Sequence, residues 1–369
     1  MWPQGELSIF GQEQAMEADD VVVARVVSIA EHACAGTGGI SSDSYQSNRY
    51  QCFGVTALLP DGTTVNVELN GINEMAQDRT PLKQGDTVKI IRYQQMNQQG
   101  QYVTEYGFYD HDRGVPLLII VLVFIVIVVG IGRWKGLLAL FGVIFSVFIF
   151  SIFILPAILA GEHAVTVASV GSAIIMLVVL FLAHGISLRT TAALFGSFFG
   201  IAFTAIFGVL TTQWAHITGM GSMGDGSTQL AMAGLNVSDI FTATIIIAGL
   251  GVLNDITVSQ ASAVLEMREL NPNIESRRIF ASAMRIGRDH IASSIYTLVF
   301  AYAGATLLVL LMLYIYPTNI VDLITSERIA QEIVRTLVGV SGLILAMPVT
   351  TFFAVYFTKG SYDPRVLSS

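Results

Sequence analysis

Asp255, Ser259, Ser262 and Glu266 recur at i, i+4, i+7 and i+11, the spacing of one face of a helix. The stretch that holds Asp255 is apolar, from Ile240 to about Val264. A carboxylate in such a stretch is costly to bury and is a functional group by default. Asn254, Thr257 and Gln260 flank this face, and Ala248 and Gly251 extend it with small residues. A second stretch matches it: Arg285, Asp289, Ser293 and Thr297 share a face, with Arg288 and Tyr296 beside it. Two chemistries are open to the pair. Arg285 or Arg288 neutralises Asp255 or Glu266 and locks two helices together, or the carboxyls pass a proton or cation. A desolvated carboxylate holds its proton near neutral pH, which suits a relay. The expectation is that Asp255 and Glu266 approach Arg285, Arg288 or Asp289. Asp255, Ser259, Ser262, Glu266, Asp289 and Thr297 are then the relay residues.

These residues sit in a chain of 369 residues, 53% hydrophobic and 12% charged, about half the usual charged share of a soluble protein. The solvent this composition suits is a bilayer. Seven apolar runs follow Arg113: Val115–Gly132, Gly136–Gly161, Ala164–Ala183, Thr190–Thr212, Ile240 to about Val264, Ile291–Tyr316 and Thr336–Thr358. A helix needs about 20 such residues to cross the hydrocarbon, so seven spans are predicted within a helical domain over residues 113–359. Lys and Arg in short loops set the orientation. If the first span runs inward, the inner set is Arg133, Lys135, Arg189, Arg268, Arg277, Arg278, Arg285, Arg288, Lys359 and Arg365. The outer loops then hold only Arg328 and Arg335, so the N-terminal part is extracytoplasmic and the tail, 360–369, is cytoplasmic.

The net charge of −8 belongs to residues 1–114, which carry 15 acidic and 7 basic residues; residues 115–369 carry 12 of each. After a flexible 1–19, residues 20–112 read as a mostly-β domain. Val21–Glu31, Gln51–Leu59, Thr64–Leu69, Thr87–Arg92 and Tyr102–Tyr109 are β-branched or aromatic runs parted by turns such as Pro60-Asp61-Gly62-Thr63 and Gly85-Asp86. They predict a small antiparallel barrel of about five strands, OB-like. Cys34 and Cys52 fall on the oxidising side, where a disulfide would close the loop between them; otherwise they are small apolar fillers. Asp110-His111-Asp112 has ligand types for a metal but reads as a solvated turn before the first span. Met1–Asp20 lacks the apolar core of a signal peptide. Export of the domain therefore calls for an upstream leader or anchor helix, or for unaided translocation.

Other functions are excluded. A basic patch to follow nucleic-acid phosphates is absent. The Gly219–Gly226 loop lacks the strand, helix and Lys of a phosphate loop and reads as a connector. An intramembrane aspartyl protease needs a second buried Asp, and Asp225, Asp239 and Asp289 lie at or beyond span ends. A serine hydrolase would show G-x-S-x-G, which is missing. The chain is read as no enzyme, with no cofactor and no metal. Gly196, Gly200 and Gly208, and Gly339 and Gly342, are spaced for close helix packing. Pro156 and Pro348 are expected to kink or end their helices.

Several blocks together resemble the YibE/F-like membrane protein family. They are Arg113-Gly114 at the first span, Gly132-Arg133-Trp134-Lys135-Gly136-Leu137, Leu155-Pro156-Ala157-Ile158-Leu159-Ala160-Gly161, and Gly249-Leu250-Gly251-Val252-Leu253-Asn254-Asp255 with Ser259, Ala261-Ser262-Ala263 and Glu266. Gly287-Arg288-Asp289 before Tyr296-Thr297-Leu298 and Ala301-Tyr302-Ala303-Gly304 completes the set. The resemblance covers about residues 85 to 358. It implies a multi-pass membrane fold, with no reaction attached, and a longer N-terminus with its own membrane helix, in keeping with an upstream leader. A weaker likeness over about residues 245 to 310 is to the proton-using spans of the protein-export component SecD and the RND transporters, by analogy of order alone. The large extracytoplasmic domains of those proteins are absent.

The expected function is a permease or proton- or cation-coupled transport protein of a bacterial-type plasma membrane. The alternative is a non-transporting scaffold or partner-binding subunit acting through its extracytoplasmic domain. The expected partners are the lipid bilayer, a small ion or solute or an envelope protein, and a second copy in a homo-oligomer; nucleic acid is not among them.

Overall fold

The computed structural model describes residues 21–33, 51–69, 82–96, 102–220, 227–315 and 319–359. The Cys34–Cys52 bridge, the 1–19 segment and the 360–369 tail fall outside these residues. The chain forms two compact units, one within Phe10–Val126 and one within Ile127–Ser369.

The first unit is built on five antiparallel strands: β1 (Val21–Ala33), β2 (Gln51–Leu58), β3 (Thr64–Leu69), β4 (Thr87–Met96) and β5 (Tyr102–His111), in the order β3-β2-β1-β4-β5. Period-2 alternation turns Ala24 and Val26, Val55 and Ala57, and Val88 and Ile90 onto one buried face. The β2–β3 turn is set by Asp61, whose carboxylate accepts the Thr63 N–H at 2.9 Å and hydroxyl at 2.6 Å. Gly62 supplies the positive φ of 85° there. β1 serves two partners: Val21–Arg25 pairs with β4 and Arg25–Ala33 with β2, with a bulge between Val26 and Ser28. Bulges add twist, and the edges β3 and β5 come near each other. They share no ladder, so the sheet is open where the sequence suggested a closed barrel. Asp110 and His111 close strand β5 and Asp112 follows it, where the sequence suggested a solvated turn. Asp110 accepts from the His111 N–H and the Arg113 guanidinium, and Asp112 accepts from the Gly114 N–H.

Helices follow: α1 (Gly114–Ile149), a π turn (Phe150–Ile154), α2 (Leu155–Leu159), α3 (Ala164–His184), α4 (Leu188–Trp214), α5 (Ser227–Met232), α6 (Val237–Leu270), α7 (Ser276–Ala305), α8 (Leu307–Ile315), α9 (Ile320–Thr325) and α10 (Glu327–Lys359). Among the described residues, five helical stretches are long and apolar enough to cross a membrane: Gly114–Leu159, α3, α4, α6 and α10. The first is 46 residues long, roughly 69 Å at 1.5 Å per residue and over twice a hydrocarbon core of about 30 Å. It is broken at Arg133, whose φ of 51° and ψ of −134° are not helical. Gly136 there backs onto the Val128 carbonyl, whereas residues eight apart in a straight helix stand about 12 Å apart; the chain therefore turns back at Arg133. Pro156 cannot donate the helical bond expected of it, and the π turn lies just before it.

α7 is not among the five because its first half carries Arg277, Arg278, Arg285, Arg288 and Asp289. The apolar run Ile291–Tyr316 begins midway along it and crosses one irregular residue, Thr306, into α8. Pro348 is accommodated inside α10, which continues past it.

The second unit packs α3, α4, α6, α7 and α10 together, with α6 touching the other four. Small residues permit the close approach. Gly196 lies against Thr350, Gly200 against Leu253 and Ala346, and Gly342 against Thr204, while Gly339 faces open space. Ser187 caps α4 by accepting the Thr190 N–H, and Asn236 caps α6 by accepting the Asp239 N–H.

Candidate functional site

α6 is the helix to which every neighbour refers. Its buried stripe is Leu253, Thr257, Gln260, Val264 and Arg268, at i, i+4, i+7, i+11 and i+15. Two residues is 200° of helix, so Asp255, Ser259, Ser262 and Glu266 point away from that stripe. Asp255 and Glu266 are exposed, and Ser259 and Ser262 are half-buried. Ser262 returns its hydroxyl to the Val258 carbonyl at 2.7 Å. On α7, Arg285, Arg288, Asp289 and Thr297 are also exposed, and Thr297 donates to the Ser293 carbonyl at 3.0 Å.

The expected ion pair is not formed. Among the described residues the ion pairs are Arg113–Asp110, His163–Asp239 and Arg335–Glu332, and none joins α6 to α7. The packing gives the reason. α7 meets α6 through Gly287, which backs onto Gln260 and Met347, and Ile256 of α6 and Leu298 of α7 belong to one apolar cluster with Val340, Leu343 and Met347 of α10. That contact leaves the arginines of α7 on its outer side.

The polar groups that do meet are ones the sequence placed at the edge of the track or did not single out. Ser197 and Thr257 hydroxyls lie 3.0 Å apart between α4 and α6, both fully buried. Gln260, 2% exposed, donates to the Thr351 hydroxyl of α10 at 2.8 Å. Thr212 and Thr242 hydroxyls stand 3.2 Å apart. Thr351 passes its own proton to the Met347 carbonyl; of Ser197 and Thr257, one donates to the other and the acceptor of that bond donates to a carbonyl one turn back, so the layer is hydrogen-bonded glue between helices. The signal that could have found it is the interleaving of Ser197 and Thr204 with Gly196, Gly200 and Gly208: hydroxyls among glycines mark a packed face.

Arg268 was read as one of the inner-surface charges, yet it is 8% exposed. It donates to the Pro272 and Ile274 carbonyls at 3.3 and 2.7 Å and to the Ser276 hydroxyl at 3.1 Å, stitching the α6–α7 turn. A basic residue in a last helical turn suits the exposed carbonyls there. At the opposite end of α6, His163 Nδ1 lies 3.4 Å from Asp239, which also accepts from Asn236. With Glu162 they rim a cavity of about 220 Å³. Glu327 accepts the Thr218 hydroxyl and the N–H groups of Thr218 and Gly219. It thereby pins the start of the glycine-rich connector, whose residues 221–226 lie outside the described ones. Arg335 pairs with Glu332 at 2.7 Å and stacks over Phe241 at 5.3 Å.

With Asp255 set in mid-helix and the small-residue bundle around α6 in view, the chain can be compared with known proteins. The YibE/F-like protein family model matches residues 120–360. The chain belongs to that family. The match takes in all of the second unit's packed helices and every candidate site residue from Asp255 to Thr297, and it begins inside α1, so the β sheet lies outside it. Curated proteins and solved structures returned no match.

Proposed function

We propose that this YibE/F-like protein is a membrane permease coupled to protons or cations, with α6 carrying the coupling group. The observation that carries the reading is Asp255. It stands about 27 Å from one end of α6 and about 22 Å from the other at 1.5 Å per residue. Among the described residues it has neither an ion pair nor a hydrogen bond. A carboxylate at that depth must be hydrated or take up a proton, so its charge state follows its access to either side.

Seven spans accommodate the reading: Gly114–Gly132, Trp134–Leu159, α3, α4, α6, the second half of α7 with α8, and α10. The arginine count puts the β domain, its sheet curling towards a barrel, outside a bacterial-type plasma membrane and the C-terminus inside. Proteoliposomes holding a pH-sensitive dye and a pH gradient test it. The native protein should dissipate the gradient, and Asp255→Asn, equally well folded, should not. Equal flux from both would sink the relay.

The scaffold reading has one observation behind it: the sheet is open, so among the described residues the outer edges of β3 and β5 have no strand partner, edges of the kind that take up a partner's strand. In-cell crosslinking from β3 or β5 should then recover one defined envelope protein. Flux in liposomes without such a partner favours the permease.

A further inference from the structure

α7 changes character along its length. Its first half carries Arg277, Arg278, Arg285 and Arg288 and no lysine, and the one acidic residue of the whole helix is Asp289. The apolar run begins just beyond, at Ile291. At 3.6 residues per turn the four arginines fall within about 100° of one another. All four are exposed, and among the described residues none of them has an ion pair. The buried residues of α7, Ile279, Ala283, Gly287, Ser294 and Leu298, lie on the opposite side. The arginines therefore point away from the bundle.

The same arc continues as an apolar one. Ala281 and Ala292 fall on it and are exposed, which leaves space beside the guanidinium groups. Tyr296 and Val299 follow on the arc, with Phe300 at its edge, and all three are exposed. The Tyr296 and Phe300 rings stack at 6.5 Å. Tyr296 stands about 12 Å beyond Arg288 and Phe300 about 18 Å at 1.5 Å per residue, against about 15 Å for half of a hydrocarbon core. One strip of helix thus offers cations and then an apolar platform at acyl-chain depth. Charge needed only for orientation can sit in any inner loop, as lysine or arginine. Here it is all arginine and on one face, and a guanidinium fork fits two phosphate oxygens at once.

We propose that this strip binds an anionic phospholipid of the inner leaflet, its phosphate held by Arg285 and Arg288 and one acyl chain laid along Tyr296, Val299 and Phe300. Arg285 and Arg288 are one turn apart and stand nearest the apolar run, so a phosphate between them sits at the hydrocarbon boundary. Arg277 and Arg278 lie further out and add to the field that draws an anionic headgroup. A zwitterionic headgroup brings its own cation, which the guanidinium groups repel. The site rests on the proposed seven spans, which put Ile291 onward in lipid, and is independent of any proton on Asp255.

The test is photocrosslinking of the full chain in phosphatidylcholine nanodiscs doped with a diazirine-acyl lipid, either phosphatidylglycerol or phosphatidylcholine, the labelled peptides being mapped by mass spectrometry. At roughly fivefold per arginine near the surface, the phosphatidylglycerol probe should label residues 296–300 at least about tenfold more than its phosphatidylcholine twin. Arg285→Gln with Arg288→Gln should remove most of that preference; these side chains are exposed and break no ion pair among the described residues, so the fold is kept. Arg189→Gln with Lys359→Gln removes as much inner charge and should leave the preference standing. Equal labelling of 296–300 by the two probes would overturn the proposal. So would a preference lost equally in the control variant, the mark of general surface charge, or one relieved as readily by inorganic phosphate as by unlabelled phosphatidylglycerol, the mark of a free-anion site. Labelling by neither probe would put the segment outside lipid and sink the span reading with it.

Discussion

Replacing Gly196 by alanine forces α4 and α10 apart. The new methyl carbon would stand 2.9 Å from Thr350 Cβ and 3.2 Å from Thr350 Cα, well inside the roughly 3.5–4.0 Å at which carbons attract. Turning the Thr350 side chain relieves neither contact, and its hydroxyl is held by the Ala346 carbonyl at 2.8 Å. Overpacking of this kind costs up to about 3 kcal/mol, and alanine returns about 1 kcal/mol through helix propensity. The net expected loss is about 1–2 kcal/mol. Gly339 on α10 is the control. No atom lies within 4 Å of its Cβ position, so Gly339→Ala keeps the propensity gain of about 1 kcal/mol. The two variants should differ by about 2–3 kcal/mol in reversible SDS unfolding from mixed micelles, followed by tryptophan fluorescence. Thr350→Ala in the Gly196→Ala background should recover part of the loss, since the pair is coupled. Equal stability of Gly196→Ala and Gly339→Ala would refute the close approach of α4 and α10.

Two further outcomes follow from hydrogen bonds. Arg268→Met should cost about 1–3 kcal/mol in the same unfolding assay by orphaning the Pro272 and Ile274 carbonyls. Arg268→Lys should recover only part, because one ammonium cannot span the three acceptors the guanidinium reaches; full recovery would show that charge alone matters. In the β domain, the Thr63 hydroxyl and then its N–H hold the Asp61 carboxyl below the usual carboxylate range. A folded-state value below the unfolded one stabilises fully above the unfolded value and is lost as pH falls through the folded one. The stability gap between native protein and Thr63→Val should therefore be flat at neutral pH and narrow on acidification below about pH 4. A gap that widens there would reverse the assignment.

Much of this architecture was legible residue by residue. Alternation of Ala24 with Val26 and of Val55 with Ala57 marks strands, and runs such as Ala164–Ala183 mark spans, because transfer of a side chain from water is a local and nearly additive property. About five strands were expected, and among the described residues five stand in the sheet, which is open and not a closed barrel. The break at Arg133 was readable from the Gly132-Arg133-Trp134-Lys135-Gly136 turn. Local charge also explains why α7 falls short as an apolar helix, its first half being studded with arginine.

Tertiary structure decided which face of α6 turns inward. Two polar stripes run along that helix, one through Asp255 and Glu266 and one through Thr257 and Gln260, about 200° apart. By periodicity they are equivalent, and by chemistry the carboxylates look the better candidates for an inner track. The choice was made by non-local sterics. Gly196 and Gly200 on α4, Gly287 on α7 and Thr351 on α10 offer close backbone approach and one hydroxyl acceptor, which fit small hydroxyls and one amide but not two charges. The same non-local fit left Asn254 Oδ1 without a donor, and whether the β sheet closes depends on two edge strands distant in sequence. Hydrophobic period is written in neighbouring residues; which surfaces then touch depends on shapes that lie far apart along the chain.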